Sequence, residues 1–371
     1  MKYNIVISTL LGLEAFCSRE VKRLGYEPKT EDGRVMFEGD ESAIAAANIN
    51  IRTGERVMIK VGEFKATTFD ELFENTKKLP WDKFIPLGGA FPVVGYSLKS
   101  KLASVPNCQK IIKKAVAMSL GKAYDKEVLP EDGEMFKIRF SAMKDTFTLM
   151  IDTSGEPLHK RGYRTEANIA PLRETIAASM VMLSFWKYET PLVDPFCGSG
   201  TILIEAAMFK LNIAPGINRS FAGEKFPYLS KEIWDKEKRI AKEKERKLPL
   251  TLYGMDINPE YLKIAENNAA RAGVREYVTF KEARAEDFHT MSKIGAVICN
   301  PPYGERIGEK SECEELYRNI GKAFAANRDW SYYILTSNED FEKLYGKKAD
   351  KKRKVYNGMI KCNIYQYFGN K

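Results

Sequence analysis

The stretch Val193-Asp194-Pro195-Phe196-Cys197-Gly198-Ser199-Gly200-Thr201 follows a short apolar strand, 192–194, and leads into a helix that runs to about residue 209. In an open α/β sheet, ligands bind outside the carboxyl ends of the strands, where the strand order reverses. Gly198 and Gly200 clear side chains from a place where a ligand must approach the backbone. A glycine turn alone could be a tight connection and nothing more, but here an acid, Asp194, ends the strand. The pattern is not the G-x-G-x-x-G of dinucleotide sites, nor a phosphate loop closing in G-K-[ST]. No basic residue stands ready for a pyrophosphate. The expected ligand is nucleoside-like, without phosphate and positively charged, and S-adenosylmethionine fits through its sulfonium and amino groups.

The strands that follow supply the rest of the site. Tyr253-Gly254-Met255-Asp256-Ile257-Asn258 places a second acid at a strand end, where a carboxylate can accept both hydroxyls of a ribose. Asp287, in Arg284-Ala285-Glu286-Asp287-Phe288, can accept from an adenine amine, although a lone acid in a loop is also an ordinary surface residue. Phe196, Gly198, Gly200, Thr201 and Ile257 complete the expected cofactor set with Asp194, Asp256, Asp287 and Asn300. The strand 296–299 ends in Asn300-Pro301-Pro302-Tyr303-Gly304. Its two prolines fix the backbone and remove local donors. The Asn300 side-chain oxygen and the Pro301 carbonyl can hold both protons of a planar amine, while Tyr303 stacks on the ring that bears it. Asn300, Pro301, Pro302 and Tyr303 are therefore the expected catalytic group.

Away from the site, the chain is one of alternating elements. The first half reads as short βαββαβ-like units, with strands at 4–8, 34–37 and 56–61 and helices at 13–24, 42–47 and 68–79. Asn107 is placed to cap a helix with Ile111, Ala115 and Met118 on its apolar side. The second half alternates strands and helices as a doubly wound sheet does, and ends in two strands around Asn357-Gly358, a hairpin signal. The charged stretch 231–247 reads as an exposed insertion helix, and 159–170 as a polar, basic linker.

Net charge is +9, which suits a polyanionic partner without requiring one. Its placement says more: residues 83–122 hold seven basic side chains and no acid, and Lys101, Lys110, Lys113 and Lys114 are the expected phosphate contacts. A further basic cluster lies at 347–354. Six scattered cysteines without a C-x-x-C pair, and two histidines, argue against a structural zinc; no metal is expected. The first residues read as a strand, with no apolar run of membrane length, so a cytoplasmic location is expected.

Taken together, Asp194 to Gly200, Asp256 and Asn300 to Tyr303 resemble the class I amino-methyltransferases, a group spanning adenine-N6 DNA, guanine-N2 RNA and protein-glutamine enzymes. His159-Lys160-Arg161-Gly162-Tyr163-Arg164, Ala170-Pro171-Leu172-Arg173-Glu174 and Lys354-Val355-Tyr356-Asn357-Gly358 resemble the THUMP-containing RNA methyltransferases, and Ser100-Lys101-Leu102-Ala103-Ser104-Val105-Pro106-Asn107-Cys108-Gln109 is similar to the THUMP module. Closest in pattern is the bacterial 23S ribosomal RNA guanine-N2 methyltransferase family. The resemblance implies an α/β fold: a Rossmann-like domain with a seven-stranded doubly wound sheet and a C-terminal antiparallel hairpin, preceded by small α+β ferredoxin-like and THUMP modules. The implied division is 1–65, 66–158, a linker 159–170 and a catalytic domain 171–371. It also implies structured RNA as partner, 23S rRNA ahead of tRNA, with no membrane and no obligate protein partner. Methyl transfer would be an in-line displacement for which the protein supplies orientation and desolvation, on a base taken out of its helix. The rival readings are a tRNA guanine-N2 enzyme, a DNA adenine-N6 enzyme and a non-catalytic RNA-binding protein on the same fold.

Overall fold

In the computed structural model, which describes residues 1–164, 172–290, 292–304, 309–358 and 360–369, the first half of the chain builds one sheet of seven strands. These are β1 (Tyr3–Thr9), β2 (Lys29–Glu31), β3 (Arg34–Gly39), β4 (Gly54–Lys65), β5 (Val93–Leu98), β6 (Ile138–Met143) and β7 (Thr146–Asp152), in the spatial order β2-β3-β1-β4-β7-β6-β5. The two small modules are thus fused through β4, twelve residues long, which pairs antiparallel with β1 at its start and with β7 beyond Met58. Helices α1 (Glu14–Arg23), α2 (Glu41–Asn50), α3 (Phe69–Lys77) and α4 (Val105–Tyr124) belong to this half. Asp40 and Thr68 cap α2 and α3 by accepting from the amides of Ala43 and Glu71.

Helix α4 departs from its expected phase. It begins at Val105 with Ser104 in the cap position and Pro106 in the first turn, so Asn107 lies inside the helix. Its buried side is Cys108, Ile112, Ala115, Val116 and Leu120, while Met118 is 45% exposed. Two adjacent isoleucines allow either phase, and contact with the core selects Ile112 over Ile111.

The second half contains α5 (Glu174–Leu183), β8 (Leu192–Asp194), α6 (Thr201–Lys210), α7 (Lys231–Glu243), β9 (Leu252–Asp256), α8 (Pro259–Arg271), β10 (Val278–Glu282), β11 (Ala296–Cys299), α9 (Glu309–Ala325), β12 (Ser331–Thr336), α10 (Phe341–Tyr345), β13 (Lys351–Asn357) and β14 (Ile360–Tyr367). Strand order is β10-β9-β8-β11-β12-β14-β13. The first five strands of this order run parallel, and β14 lies antiparallel to both β12 and β13. The chain winds outward from β8 to β9 and β10, then returns to β11 on the other side of β8. The switch point therefore lies between β8 and β11. No helix among the described residues is long and apolar enough to cross a membrane.

The two halves exchange core residues. α7 is not an exposed insertion helix: Trp234 and Ala241 are buried, and with Phe221, Phe226 and Leu229 they join the core of the first half. Trp234 stacks on Phe221 at 5.4 Å, and Phe226 on Phe136 at 4.6 Å. The many charges of the segment sit on the other side of the helix and hid this apolar stripe. In return, Leu13 and Phe16 of the first half lie in the core of the second, with Val355 and Cys362. Arg353 stacks on Phe16 at 4.5 Å and donates to the Gly12 carbonyl. Gly12, at φ +94°, admits no side chain, because a Cβ there would lie 2.6 Å from the Lys354 carbonyl oxygen.

The polar segment 159–164 is partly interior: Arg161 is 3% exposed and Tyr163 4%, while Lys160 and Gly162 face solvent. The remainder of the segment read as a linker, 165–170, lies outside the described residues.

Trp234→Ala should cost about 3–5 kcal/mol, the range for emptying an aromatic site in a packed core. Urea denaturation measures this. A change below about 1 kcal/mol would mean that α7 is an exposed appendage after all.

Candidate active site

Strand β8 delivers Asp194 into a site with almost no water: it is 1% exposed. Its Oδ1 accepts from the Phe196 amide at 3.1 Å. Burial pushes the carboxyl from an ordinary 3.8 up to about 8; the Phe196 amide opposes this and the nearby Asp256 charge adds to it. After Phe196 the chain doubles back, and the Gly200 amide donates to the Cys197 carbonyl at 2.8 Å. Gly200 adopts φ +81°, and a Cβ there would crowd Ala265 at 3.1 Å and Phe280 at 3.3 Å. Gly198, at φ +48°, also lies in the left-handed region.

This loop is tied to the neighbouring strand. The Cys197 amide donates to the Met255 carbonyl at 2.9 Å, and the Gly198 amide to Asp256 Oδ2 at 3.0 Å. Asp256 Oδ1 accepts from the Asn258 amide at 2.9 Å. Asp256 thus holds the glycine loop in shape, and it retains lone pairs for a ligand. Asp287 is exposed on a single helical turn beside a cavity of about 530 Å3. Apolar surfaces of Val193, Tyr253, Met255 and Phe288 line that cavity, which suits a flat heterocycle with Asp287 at its rim. Ile257, 68% exposed, follows Asp256, and Phe196 is half-buried. Thr201 is 4% exposed, and its hydroxyl accepts from Arg164 at 2.5 Å while sharing a hydrogen bond of 3.3 Å with the Ser199 hydroxyl, so it joins the loop to the segment before α5.

On the other side of the switch point, Asn300 Oδ1 accepts from the Tyr303 hydroxyl at 2.6 Å. Burial raises the Tyr303 hydroxyl well above its ordinary range, and the Cys362 thiol donates to it at 3.8 Å. The ring expected to stack on a target base is therefore folded onto Asn300. The Tyr317 hydroxyl donates to the Pro302 carbonyl at 2.7 Å and shares 3.0 Å with Thr336, which pins the turn. Cys299 is fully buried, and burial holds its thiol well above the ordinary range, so it has no nucleophilic character.

The lysines Lys101, Lys110, Lys113 and Lys114 all lie in the first half, away from this site. Lys101, Lys110 and Lys114 are exposed. Lys113 is engaged: its Nζ lies 2.7 Å from Glu131 and 4.9 Å above the Phe91 ring. A stretch free of acids along the chain is not free of them in space. Sequence reasoning also missed a group beside the glycine loop, Arg161, Arg164, Glu174 and Glu205. The available signal was Glu205 itself, a lone charge within the apolar run Ile202-Leu203-Ile204-Glu205-Ala206-Ala207.

A switch-point loop framed by two carboxylates, with an amide oxygen at the end of the neighbouring strand β11, defines a class I S-adenosylmethionine-dependent methyltransferase. Residues 161–366 match the RMKL-like methyltransferase domain, 4–58 the RlmL ferredoxin-like domain and 66–152 the THUMP domain, and the chain belongs to the RMKL-like methyltransferase family. It is 48% identical to the putative RNA methyltransferase YpsC of Bacillus subtilis, over 99% of this chain and 96% of that protein. It is 34% identical to the ribosomal RNA large subunit methyltransferase K/L of Psychromonas ingrahamii, over 97% of this chain but only 49% of that protein, so the chain spans about half of that relative. Among solved structures it is similar to SMU.472, a putative methyltransferase complexed with SAH (TM-score 0.94, 43% identity, 100% of this chain and 99% of that one).

The folded chain keeps the Asp194 proton to about pH 8. Because that value is raised, the stability it contributes is complete below about 3.8 and is lost as pH rises toward 8. A cationic ligand favours the carboxylate, so binding should expel the proton. Affinity for S-adenosylmethionine should rise from about pH 6 toward pH 8, with proton release seen by calorimetry in buffers of different ionisation enthalpy. Asp194→Asn should flatten the rise. A wild type that releases no proton would exclude this role.

Proposed function

We propose that this chain methylates the exocyclic N2 amine of a guanine in 23S rRNA. The observation that carries the reading is the Asn300 amide oxygen at the carboxyl end of β11, offered at a strand end and bonded to a hydroxyl that a substrate amine can displace. An acceptor there selects an amine and draws off proton density as the nitrogen turns pyramidal. The bound cofactor supplies an activated methyl group. Asp194 and Asp256 face its charged and ribose portions, and Asp287 its adenine. Phe196 and Ile257 offer apolar contact, while Gly198 and Gly200 allow close approach. For the base to enter, Tyr303 must release Asn300, which frees its ring to stack. As the N–CH3 bond forms and the S–CH3 bond of the donor breaks, Asn300 would hold the extra N–H by hydrogen bond, and that proton is lost to water because an amide oxygen is too weak a base to carry it.

Support for ribosomal RNA comes from the K/L relatives, and the THUMP module favours RNA over DNA. A tRNA guanine is the second reading, since the same modules would serve it.

Asn300→Ala should abolish turnover while calorimetric affinity for S-adenosylmethionine survives; near-normal turnover would sink the amine reading. Nucleoside mass spectrometry of rRNA and tRNA from a deletion strain should show loss of N2-methylguanosine from the 23S fraction. Loss from tRNA alone would favour the second reading.

Charge reversal of Lys110 and Lys114 together should weaken RNA binding and reduce its salt slope by roughly 0.7–0.9 per contact, without changing the modified base. Reversal of Lys113, engaged by Glu131, should change the slope least. Equal effects at all three would show that the Glu131 pair does not shield Lys113.

A further inference from the structure

A second cleft, of about 640 Å3, lies where the two halves meet, apart from the cavity at Asp287. One wall is the segment 156–164, the other is 218–220 from the insertion after α6, and Glu174 forms part of the floor. Four cations face it, Lys160, Arg161, Arg164 and Arg219, against two carboxylates. Both acids are engaged: Glu156 lies 2.5 Å from Lys160 Nζ, and Glu174 lies 3.6 Å from Arg164. Arg161 is turned to Glu205 at 3.4 Å.

Arg219 is different. It makes no ion pair with a carboxylate among the described residues. Its Nη1 donates to the carbonyls of Pro157 and Lys160 at 2.7 and 2.8 Å, and its Nη2 to that of Glu156 at 2.7 Å. Five N–H donors exist on a guanidinium, so the Nε proton and one on Nη2 remain. Both are left for an anion, and a guanidinium takes a phosphate through such a pair of donors. Burial and the neighbouring Arg161 hold this guanidinium down to about 10, against the opposing pull of Glu156 and Asp152. Arg164 Nε is also buried without an acceptor.

The cleft abuts the methyl-transfer site. Arg164 bridges them, donating to the hydroxyl of Thr201, the first residue of α6 after the glycine loop. Its volume exceeds what an inorganic anion needs and matches a nucleotide-sized occupant.

We propose that this cleft seats a phosphodiester of the RNA strand that carries the target base, with Arg219 as the bidentate contact and Lys160 as the second cation; the Lys160–Glu156 pair is fully at the surface, where such a pair is weak and yields to a phosphate more readily than the half-buried Lys113–Glu131 pair. The inference rests on the RNA methyltransferase reading above. Anchoring the backbone here would fix the strand relative to Asn300, since phosphate contacts position and base contacts specify.

Full-length Arg219→Ala and Lys160→Ala variants test it, with binding of protein-free 23S rRNA followed between about 50 and 200 mM salt. Each should weaken binding severalfold and lower the salt slope by roughly 0.7 per lost contact. Affinity for S-adenosylmethionine and the identity of the methylated nucleoside should not change. Wild-type affinity and slope in both variants would overturn the proposal. So would a parallel loss of cofactor affinity in Arg219→Ala, which would make the residue a brace for the loop. If Arg219→Ala does not fold, Lys160→Ala decides alone, because Lys160 is exposed. If product analysis assigns the wild type to tRNA, the slopes are measured on tRNA, and the ribosomal reading fails without deciding this one. A wild type that binds no RNA overturns both.

Discussion

Glu205 has no contact with water, and a carboxylate in that position must be met by cations and hydrogen-bond donors. Arg161 meets it at 3.4 Å, the Tyr163 hydroxyl at 3.2 Å and Arg52 at 4.0 Å. Each of these partners lies outside the parallel sheet that α6 serves. Arg52 also donates to the carbonyls of Met208 and Ile213. Its own amide and that of Thr53 donate to buried Glu20 at 2.8 and 3.1 Å. One acid on α6 therefore organises the start of β4, the end of α1 and the segment before α5. Removing a single partner would leave an uncompensated buried charge, which is costly in a way that a surface pair is not.

The same joint reaches the chemistry. Glu205 stands one turn beyond Thr201, and Thr201 follows the glycine loop directly. Arg164 touches Thr201 and Glu174, while Glu55 of β4 receives Thr175 at 2.8 Å and His159 at 3.1 Å. The loop is thus held from two sides: by Asp256 within its own sheet, and by arginines bound to the other half. This suits a site whose parts must stand in fixed geometry before either ligand arrives.

The sequence was most legible where the chemistry is local. Asp194, Gly198, Gly200, Asp256 and the Asn300 turn could be placed because a strand end, a left-handed glycine and a proline pair each leave a mark within a few residues. The pairing of Asn357-Gly358 was legible for the same reason. Long-range partners were not. Nothing near Lys113 announces Glu131, nothing in the charged run of α7 announces the core of the first half, and Arg161 looks like linker chemistry until Glu205 is brought to it. Phase was the other weakness: in α4, Ile111 and Ile112 fit an apolar side equally well, and only packing chooses. Tyr303 shows a further limit. Its residue type suggests stacking, but the Asn300 oxygen and the Cys362 thiol give its hydroxyl a resting place inside.

The exchange of core residues between the halves bears on how the chain emerges during synthesis. Translation delivers a domain from its N-terminus at roughly 5–20 residues per second. The first half, complete as a sheet at Asp152, still lacks Phe221, Phe226, Trp234 and Ala241. Its apolar face stays open until nearly ninety further residues have been made, an interval of several seconds at that pace. Leu13 and Phe16 wait longer still, because Val355 and Cys362 lie roughly a hundred residues beyond Ala241. Each core is therefore completed by residues of the other half, and a nascent copy exposes apolar surface until both halves have been made.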